Sequence, residues 1–307
     1  MKQYRTLFIL IIPVFLATFF FTARITTTLS NYEAKKQEKV ELLNAEARLG
    51  DIWEWDLDVE EVSVTGWLTD WIVGKEDAMD KAKELDKEAS VYYNSAIREG
   101  LILLGIVVAF MIIINLVYKK PELRSSAIGL SLVIASICFL YLGLNEPFIE
   151  LEAYKDDVAV SGQILGMETS GKVDGRVYFF YQNKSVLKLI ELLYIGGNFF
   201  VAIMIIIFSI LFPAIKLITS FFIFLNPNSN FSKKSVPLID KIGKWSMADV
   251  FVAASWLAYF SFANTEYAIE TGSNTLIGLY FFTAFVIFSM ISGIFLKRTV
   301  IKHQIQG

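Results

Sequence analysis

Residues 101–118 read Leu-Ile-Leu-Leu-Gly-Ile-Val-Val-Ala-Phe-Met-Ile-Ile-Ile-Asn-Leu-Val-Tyr and contain no charged side chain. Such a run is typical of a helix that crosses a bilayer, because the hydrocarbon core is about 30 Å thick and is spanned by about 20 apolar residues. The rest of the chain is similar, since 55% of its 307 residues are hydrophobic and only 19% are charged. A soluble domain of this size cannot bury so much apolar surface in one core. The sequence therefore predicts a membrane protein.

Five further stretches are apolar enough to span a membrane. We predict an all-α polytopic membrane protein with about six transmembrane helices, an external helical hairpin and a small external β element. The six spans are predicted at 6–23, 101–118, 126–145, 189–211 with a continuation to 225, 246–264 and 275–296. Pro213 lies inside the fourth span, where it frees one backbone carbonyl and favours a kink.

The first apolar run has two interpretations. Its basic start and about 15 apolar residues are also typical of a secretory signal. However, it ends in Phe21-Thr-Ala-Arg24, which lacks an A-x-A cleavage pattern. We favour an uncleaved anchor, and either interpretation leaves the following segment outside.

The positions of lysine and arginine predict the orientation, because cytoplasmic loops are enriched in them. Four segments hold 12 basic residues against only Glu122 and Asp240. The basic residues are Lys2, Arg5, Lys119, Lys120, Arg124, Lys233, Lys234, Lys241, Lys244, Lys297, Arg298 and Lys302. Residues 24–99 instead hold 18 acidic and 10 basic side chains. We therefore expect both termini in the cytoplasm and residues 24–99, 146–187 and 265–274 outside.

The 24–99 segment predicts two amphipathic helices around an aromatic turn. One stripe repeats at spacings of three and four residues and consists of Ala78, Ala82, Leu85, Ala89, Tyr92 and Ala96. The facing seam is expected within 27–47 and consists of Leu29, Tyr32, Val40 and Leu43. Four tryptophans lie between the helices: Trp53, Trp55, Trp67 and Trp71. These rings either pack the hairpin tip and headgroup layer or form a docking surface for another envelope protein.

The 146–187 loop predicts a small external sheet. Residues 148–154 alternate apolar and acidic side chains, and residues 177–181 are rich in aromatic ones. We expect turns at Ser161-Gly162, Gly166, Gly171 and Asp174-Gly175.

Several classes of function find no support in the residues. No long basic run favours nucleic-acid binding. The chain has one cysteine, Cys138, and one histidine, His303, so a tetrahedral zinc site has too few ligands. No carboxylate pair, serine–base pair or phosphate-binding glycine loop is convincingly placed. We expect neither an enzyme nor a cofactor.

Ionisable side chains inside a membrane are costly and are therefore functional candidates. Lys216 lies in the fourth span, Asp249 begins the fifth beside Ser246, and Thr283 lies in the sixth. One interpretation pairs Lys216 with Asp249 in a hydrogen-bonded cluster that relays protons, stabilises a gate or holds a lipid headgroup. The alternative is that Ser246 and Asp249 cap a helix while Trp245 anchors it and Lys216 snorkels to the headgroups.

One string in this region resembles a known family. Gly243-Lys-Trp-Ser-Met-Ala-Asp-Val-Phe251 is similar to the signature of the paraquat-inducible protein A family, here carried by Trp245, Met247, Val250 and Phe251. The flanks agree in order. The string that includes Gly196, Gly197 and Asn198 resembles the start of the helix that precedes the signature in the family. The string around Pro213 and Lys216 resembles the end of that helix. Residues 278–286 resemble the family's last helix. The resemblance covers residues 126–300.

The resemblance implies a four-helix module in the inner membrane of a diderm bacterium. The resemblance also implies that this module works with a periplasmic MCE-type protein to move phospholipids between the membranes, and it leaves open a larger envelope complex. The family's polar core would map to Lys216, Ser246, Asp249 and Thr283, and Gly196, Gly197, Asn198 and Pro213 would shape the helices.

The chain departs from the family pattern in having one module and no zinc site. We divide it into residues 1–118, with the anchor, hairpin and second span, and residues 119–307, with the four-helix module. This arrangement leaves open a non-transporting scaffold or accessory subunit, or an envelope-stress protein.

Overall fold

The computed structural model describes residues 2–46, 64–164, 167–227, 229–245, 254 and 270–305. Five of its helices are long and apolar enough to cross a membrane, over Ile12–Leu43, Met79–Val117, Leu123–Asn145, Phe199–Leu225 and Ile277–Thr299. The prediction of an all-α polytopic membrane protein with a small sheet is confirmed. The predicted span at 246–264 falls almost entirely outside the described residues.

The first two helices form the predicted hairpin. Helix α1 runs over Lys2–Glu46 and α2 over Val64–Val117, so each spanning helix continues without a break into its arm. The predicted seam is present, because Leu29 and Tyr32 on α1 and Ala89 and Ala96 on α2 are buried. Small residues on α2 let the two backbones approach closely, which the heptad-like spacing predicts.

Helix α3 (Pro121–Asn145) is the centre of the bundle. Pro121 occupies its first turn, where the missing N–H costs nothing. Its spanning part is mostly buried, and it contacts α1, α2 and the two later spanning helices. The closest approach is to the last helix, where a Cβ atom placed on Gly143 would lie 2.7 Å from the Cα atom of Phe282. Glycine at this position therefore permits backbone contact.

The β element is a long hairpin with one added strand. Strand β1 (Ile149–Ile164) pairs antiparallel with β2 (Met167–Lys184), and β3 (Glu270–Thr275) pairs with the Ile149 end of β1. The sheet order is β2-β1-β3. The third strand comes from the 265–274 loop, for which no strand was predicted.

The predicted internal turns of this element are wrong. Ser161-Gly162 and Gly171 lie in paired strand, with Gly162 opposite Thr169 and Val160 opposite Gly171. Asp174-Gly175 lies where the register shifts between Asp156 and Val158. Glycine in a strand commonly marks such a bulge rather than a reversal, because the extended hydrogen-bonded ladder outweighs local turn preference. Gly166 lies outside the described residues, between the two strands.

The predicted fourth span is broken near its start. Helix α4 covers Val186–Ile195 and α5 covers Phe199–Ile205, followed by a π-helical segment at Ile206–Leu211 and α6 at Phe212–Leu225. After α6 come α7 (Asn230–Trp245) and the last described helix, α8 (Ile277–Ile305). The continuous helix predicted over 189–211 is therefore wrong over its first turns, because α4 ends at Ile195 and α5 begins only at Phe199.

The two ends of the bundle differ in character. The hairpin arms, β1, β2 and β3 share one end, since Glu150 on β1 contacts Tyr32 on α1 and Asn274 on β3. We call this the sheet end. The start of α3 lies beside α8 at the other end, where the hydroxyl of Thr299 contacts that of Ser125. We call this the basic end.

Candidate functional site

The predicted membrane cluster is only partly within the described residues. Lys216 is half-buried on α6, and Thr283 lies on α8, a helix that α6 contacts. The Thr283 hydroxyl donates a hydrogen bond to the carbonyl of Leu279 over 2.8 Å, within its own helix. Ser246 and Asp249 lie outside the described residues. The Lys216–Asp249 pair therefore stays a prediction.

The signature string is divided in the same way. Trp245 is the last residue of α7. Met247, Val250 and Phe251 lie outside the described residues. Of the four tryptophans proposed for docking, Trp67 and Trp71 lie near the start of α2, whereas Trp53 and Trp55 lie outside the described residues.

The residues expected to shape the helices lie at two breaks. Gly197 has φ +77°, and the next amide, that of Asn198, donates to the carbonyl of Leu193 over 2.8 Å. Together with the bond from Gly197 N–H to Tyr194, this pattern is a Schellman motif, which ends a helix and favours glycine at its left-handed position. The sequence Gly196-Gly197-Asn198 therefore separates α4 from α5.

Pro213 is buried in the first turn of α6, directly after the π-helical segment. A proline cannot donate to the carbonyl four residues earlier, that of Ser209, so the preceding turn is free to widen. The amide of Phe212 accordingly bonds to the carbonyl of Ile207, five residues back. Lys216 follows one turn later, on the α-helical side of this break.

A second polar site lies at the sheet end and is centred on Glu150. This side chain is buried, yet polar groups from three separate segments approach its carboxylate. The hydroxyl of Tyr181 on β2 donates to Oε1 over 2.8 Å, and the amide of Asn274 on β3 donates to Oε2 over 3.4 Å. The hydroxyl of Tyr32 on α1 lies 3.5 Å from Oε1. Burial beside this carboxylate raises the pKa of Tyr181, which keeps the phenol protonated as a donor.

Lysine side chains connect this carboxylate to the hairpin. The Nζ atom of Lys36 on α1 lies 3.9 Å from Glu150 and 3.3 Å from Asp86 on α2. Asp86 also accepts from Lys39 over 2.8 Å. A buried charge is tolerated only where it is paired and hydrogen-bonded, and this network meets that condition. The two hairpin helices and the sheet are therefore joined through one carboxylate.

Glu146 lies between the membrane helices and the sheet. It follows the last residue of α3 and is buried. Burial raises the pKa of its carboxyl to about 7; Glu33 adds to this shift, while Thr26 and Lys188 oppose it. Lys188 is itself held by Glu33, with 3.4 Å between Nζ and Oε2. The group can therefore change protonation near neutral pH.

Neither polar site at the sheet end was predicted from the sequence. The sequence prediction rests on ionisable residues inside the predicted spans, whereas Glu146 and Glu150 lie just after the third span. The alternation noted in residues 148–154 contains Glu150, but an alternating acidic residue is usually on the solvent face. Glu150 is buried instead, because α1 and β3 pack around it.

The described residues include no group of three or more histidine, cysteine, aspartate or glutamate side chains close enough to hold a metal ion. The groups that surround Glu150 are donors from tyrosine, asparagine and lysine. Their arrangement joins the hairpin helices to the sheet.

Comparison with known proteins finds a family match for the C-terminal part of the chain. Residues 174–306 match the family model of paraquat-inducible protein A. This match confirms the predicted resemblance from residue 174 onward, whereas residues 126–173 lie outside it. No curated protein and no solved structure matches the chain.

Proposed function

Because residues 174–306 match the paraquat-inducible protein A family, we propose that this protein is an inner-membrane component of an envelope lipid-transport system. In this proposal it passes phospholipid between the bilayer and a periplasmic MCE-type partner. Both termini lie in the cytoplasm, and the sheet end faces the periplasm. The protein carries out no bond-making chemistry.

The observation that carries the proposal is the position of Lys216 within that matched region. It lies on a helix whose other faces expose large apolar side chains, among them Ile218 and Phe222. An ionisable side chain within a membrane span is a functional candidate, and an ammonium group can bind a carboxylate or a lipid phosphate. Pro213 also removes the amide donor for the carbonyl of Ser209, which lies about two turns before Lys216.

The sheet end supports the second half of the proposal, which is the transfer of lipid to a partner. Glu150 joins β1, β2 and β3 to the hairpin, so these segments present one connected surface. A partner that binds there would be held in a defined position relative to α6.

The test compares Lys216→Ala and Asp249→Asn with Lys119→Ala, a control that removes an exposed lysine at the end of α2. The full-length variants are reconstituted in liposomes containing a fluorescent phospholipid, and transfer to the purified MCE-type partner is measured. We expect the first two variants to lose at least about ten-fold in transfer while partner binding persists, in line with the loss of a positioned charge. Transfer at the wild-type rate in both variants would refute the proposal.

A second candidate is a scaffold or accessory subunit that binds an envelope complex and moves no lipid. The connected surface around Glu150 favours it, since that junction needs no membrane cluster. A scaffold tolerates Lys216→Ala and Asp249→Asn in every assay but loses partner binding when Glu150 is replaced by alanine.

A further inference from the structure

Helix α7 is the only described helix after α6 that does not qualify as a membrane span. Its start is held against the end of α6, because the hydroxyl of Ser232 donates to the carbonyl of Asn226 over 2.6 Å. The amide of Ser232 also donates to the hydroxyl of Ser229 over 3.0 Å, which caps the first turn. The helix therefore leaves the membrane bundle from a fixed point.

This point lies at the basic end of the bundle. Phe224, in the last turn of α6, packs on Gly129 near the start of α3. Lys119, Lys120 and Arg124 lie at the start of α3. Helix α7 also contacts α8, whose last turns carry Arg298. Helix α7 therefore begins at the end of the bundle that carries these basic residues.

One side of α7 faces the protein. Ser232, Ser235 and Ile239 are buried, and their spacing of three and four residues defines one helix face. Val236 packs against the same core. The opposite face begins at Lys234, which is exposed.

The four lysines of α7 occupy positions on that opposite face. At about 100° per residue, positions 233, 234, 241 and 244 fall within an arc of about 100° whose centre is roughly opposite Ser232, Ser235 and Ile239. Asp240 is the only acidic residue of the helix and falls at the edge of the arc. The four lysine positions therefore share the side of the helix opposite its buried face; we call this side the lysine face.

An apolar line runs beside the lysine face. Phe231, Leu238 and Trp245 are separated by seven residues each, so their positions fall along one side of the helix, next to the lysine arc. Phe231 is exposed to 55%. An apolar line flanked by lysines is the pattern of a helix that lies in the membrane interface, with rings at the acyl boundary and ammonium groups at the phosphates.

We propose that α7 is an interfacial helix that binds the headgroups of anionic phospholipids through Lys233, Lys234, Lys241 and Lys244. The charge of the face selects an anion, and the apolar line beside it selects a lipid surface over a free anion. Since α7 follows a spanning helix directly, this surface is the leaflet at the basic end. The inference does not depend on lipid transport.

The test measures backbone hydrogen exchange of residues 230–245 in the full-length protein in nanodiscs. One nanodisc contains only phosphatidylcholine, and the other also contains phosphatidylglycerol. We expect exchange to be slower by about ten-fold or more with the anionic lipid, since each lysine near such a surface adds several-fold in affinity. Replacing all four α7 lysines with glutamine should abolish the difference.

The matched control replaces four exposed lysines at the sheet end, Lys81, Lys83, Lys87 and Lys188, and should keep the difference. Inorganic phosphate added to phosphatidylcholine nanodiscs should not reproduce it. Equal exchange in both nanodiscs, protection retained by the α7 variant or lost by the control, or protection by phosphate alone would each overturn the proposal.

If the α7 variant fails to fold, the wild-type protein still decides the question. Protection by anionic lipid should fall when salt is raised from about 0.1 M to about 1 M, because the screening length shrinks from about 10 Å to about 3 Å. Protection that is insensitive to salt would overturn the proposal.

Discussion

Arg24 on α1 donates a hydrogen bond to Glu99 on α2 over 2.6 Å, and the two side chains differ sharply in exposure. The Arg24 side chain is 54% exposed, whereas that of Glu99 is 4% exposed. Both residues lie where the predicted membrane spans end and the hairpin arms begin. The pair therefore joins the helices at this boundary, with the arginine on the surface and the carboxylate inside.

This difference in exposure predicts unequal effects of substitution. Arg24→Ala leaves a buried carboxylate without its cation and should cost roughly 1–3 kcal/mol, whereas Glu99→Gln leaves an exposed arginine and should cost less than about 1 kcal/mol. The measurement is thermal unfolding of the purified protein in detergent. The double variant should recover most of the loss of Arg24→Ala, and equal losses in the two single variants would contradict the prediction.

Glu146 predicts that stability depends on pH. Its folded-state pKa, about 7, is above the ordinary value of 4.5, so the folded protein binds the proton more tightly. The contribution of this group is fully present below about pH 4.5 and is lost as pH rises to about 7, with an upper limit of roughly 3 kcal/mol.

Glu146→Gln should remove this dependence and should be relatively more stable than wild type above pH 7. The pH dependence of stability is tested by measuring unfolding midpoints from pH 5 to 8, an interval of about 3 units around the pKa. Glu38→Gln, at an exposed position on α1, is the control and should leave the pH profile unchanged. An unchanged profile in Glu146→Gln would show that another group is responsible.

The contact between α3 and α8 predicts opposite results for two glycine substitutions. Gly143→Ala brings a methyl group to 2.7 Å from the backbone of Phe282, which must move. The expected cost is about 1–3 kcal/mol from overpacking. At Gly105, on α2, nothing lies within 4 Å of the added methyl group. Gly105→Ala should therefore be neutral or stabilise by up to about 1 kcal/mol. Unfolding midpoints of the two variants provide the comparison, and a loss at Gly105 as large as that at Gly143 would be inconsistent with this packing.

Glu150 predicts a local effect on the sheet. Glu150→Ala removes the acceptor of the half-buried Tyr181 hydroxyl and should cost roughly 2 kcal/mol, with faster hydrogen exchange over Glu270–Thr275. Glu150→Gln keeps an acceptor oxygen and should cost less. The check is exchange measured by mass spectrometry, with Glu38→Ala as the exposed control. Unchanged exchange at β3 in Glu150→Ala would mean that the strand is held by its ladder alone.

Local pattern predicted the membrane helices, the hairpin seam and the presence of a sheet, because each depends on hydrophobic length or periodicity within one segment. The seam through Leu29 and Ala89 is an example, since both residues are buried where spacing placed them. Hydrophobic length missed the break at Gly197, because apolar residues lie on both sides of it, whereas the family resemblance predicted a helix start at this string. The turns expected at Gly162 and Gly171 failed because strand pairing over the whole hairpin outweighs the preference of single glycines.

The sequence alone determined that the chain spans a membrane, where most of its helices lie and which family its C-terminal half resembles, because these properties are carried by residues close together in the chain. Only the tertiary structure decided that Glu150 is buried and bonded by Tyr181 and Asn274, which are 31 and 124 residues away. The meeting of Arg24 with Glu99, 75 residues apart, was decided in the same way. Burial and pairing of a charge depend on which segments pack around it, and no local pattern contains that information.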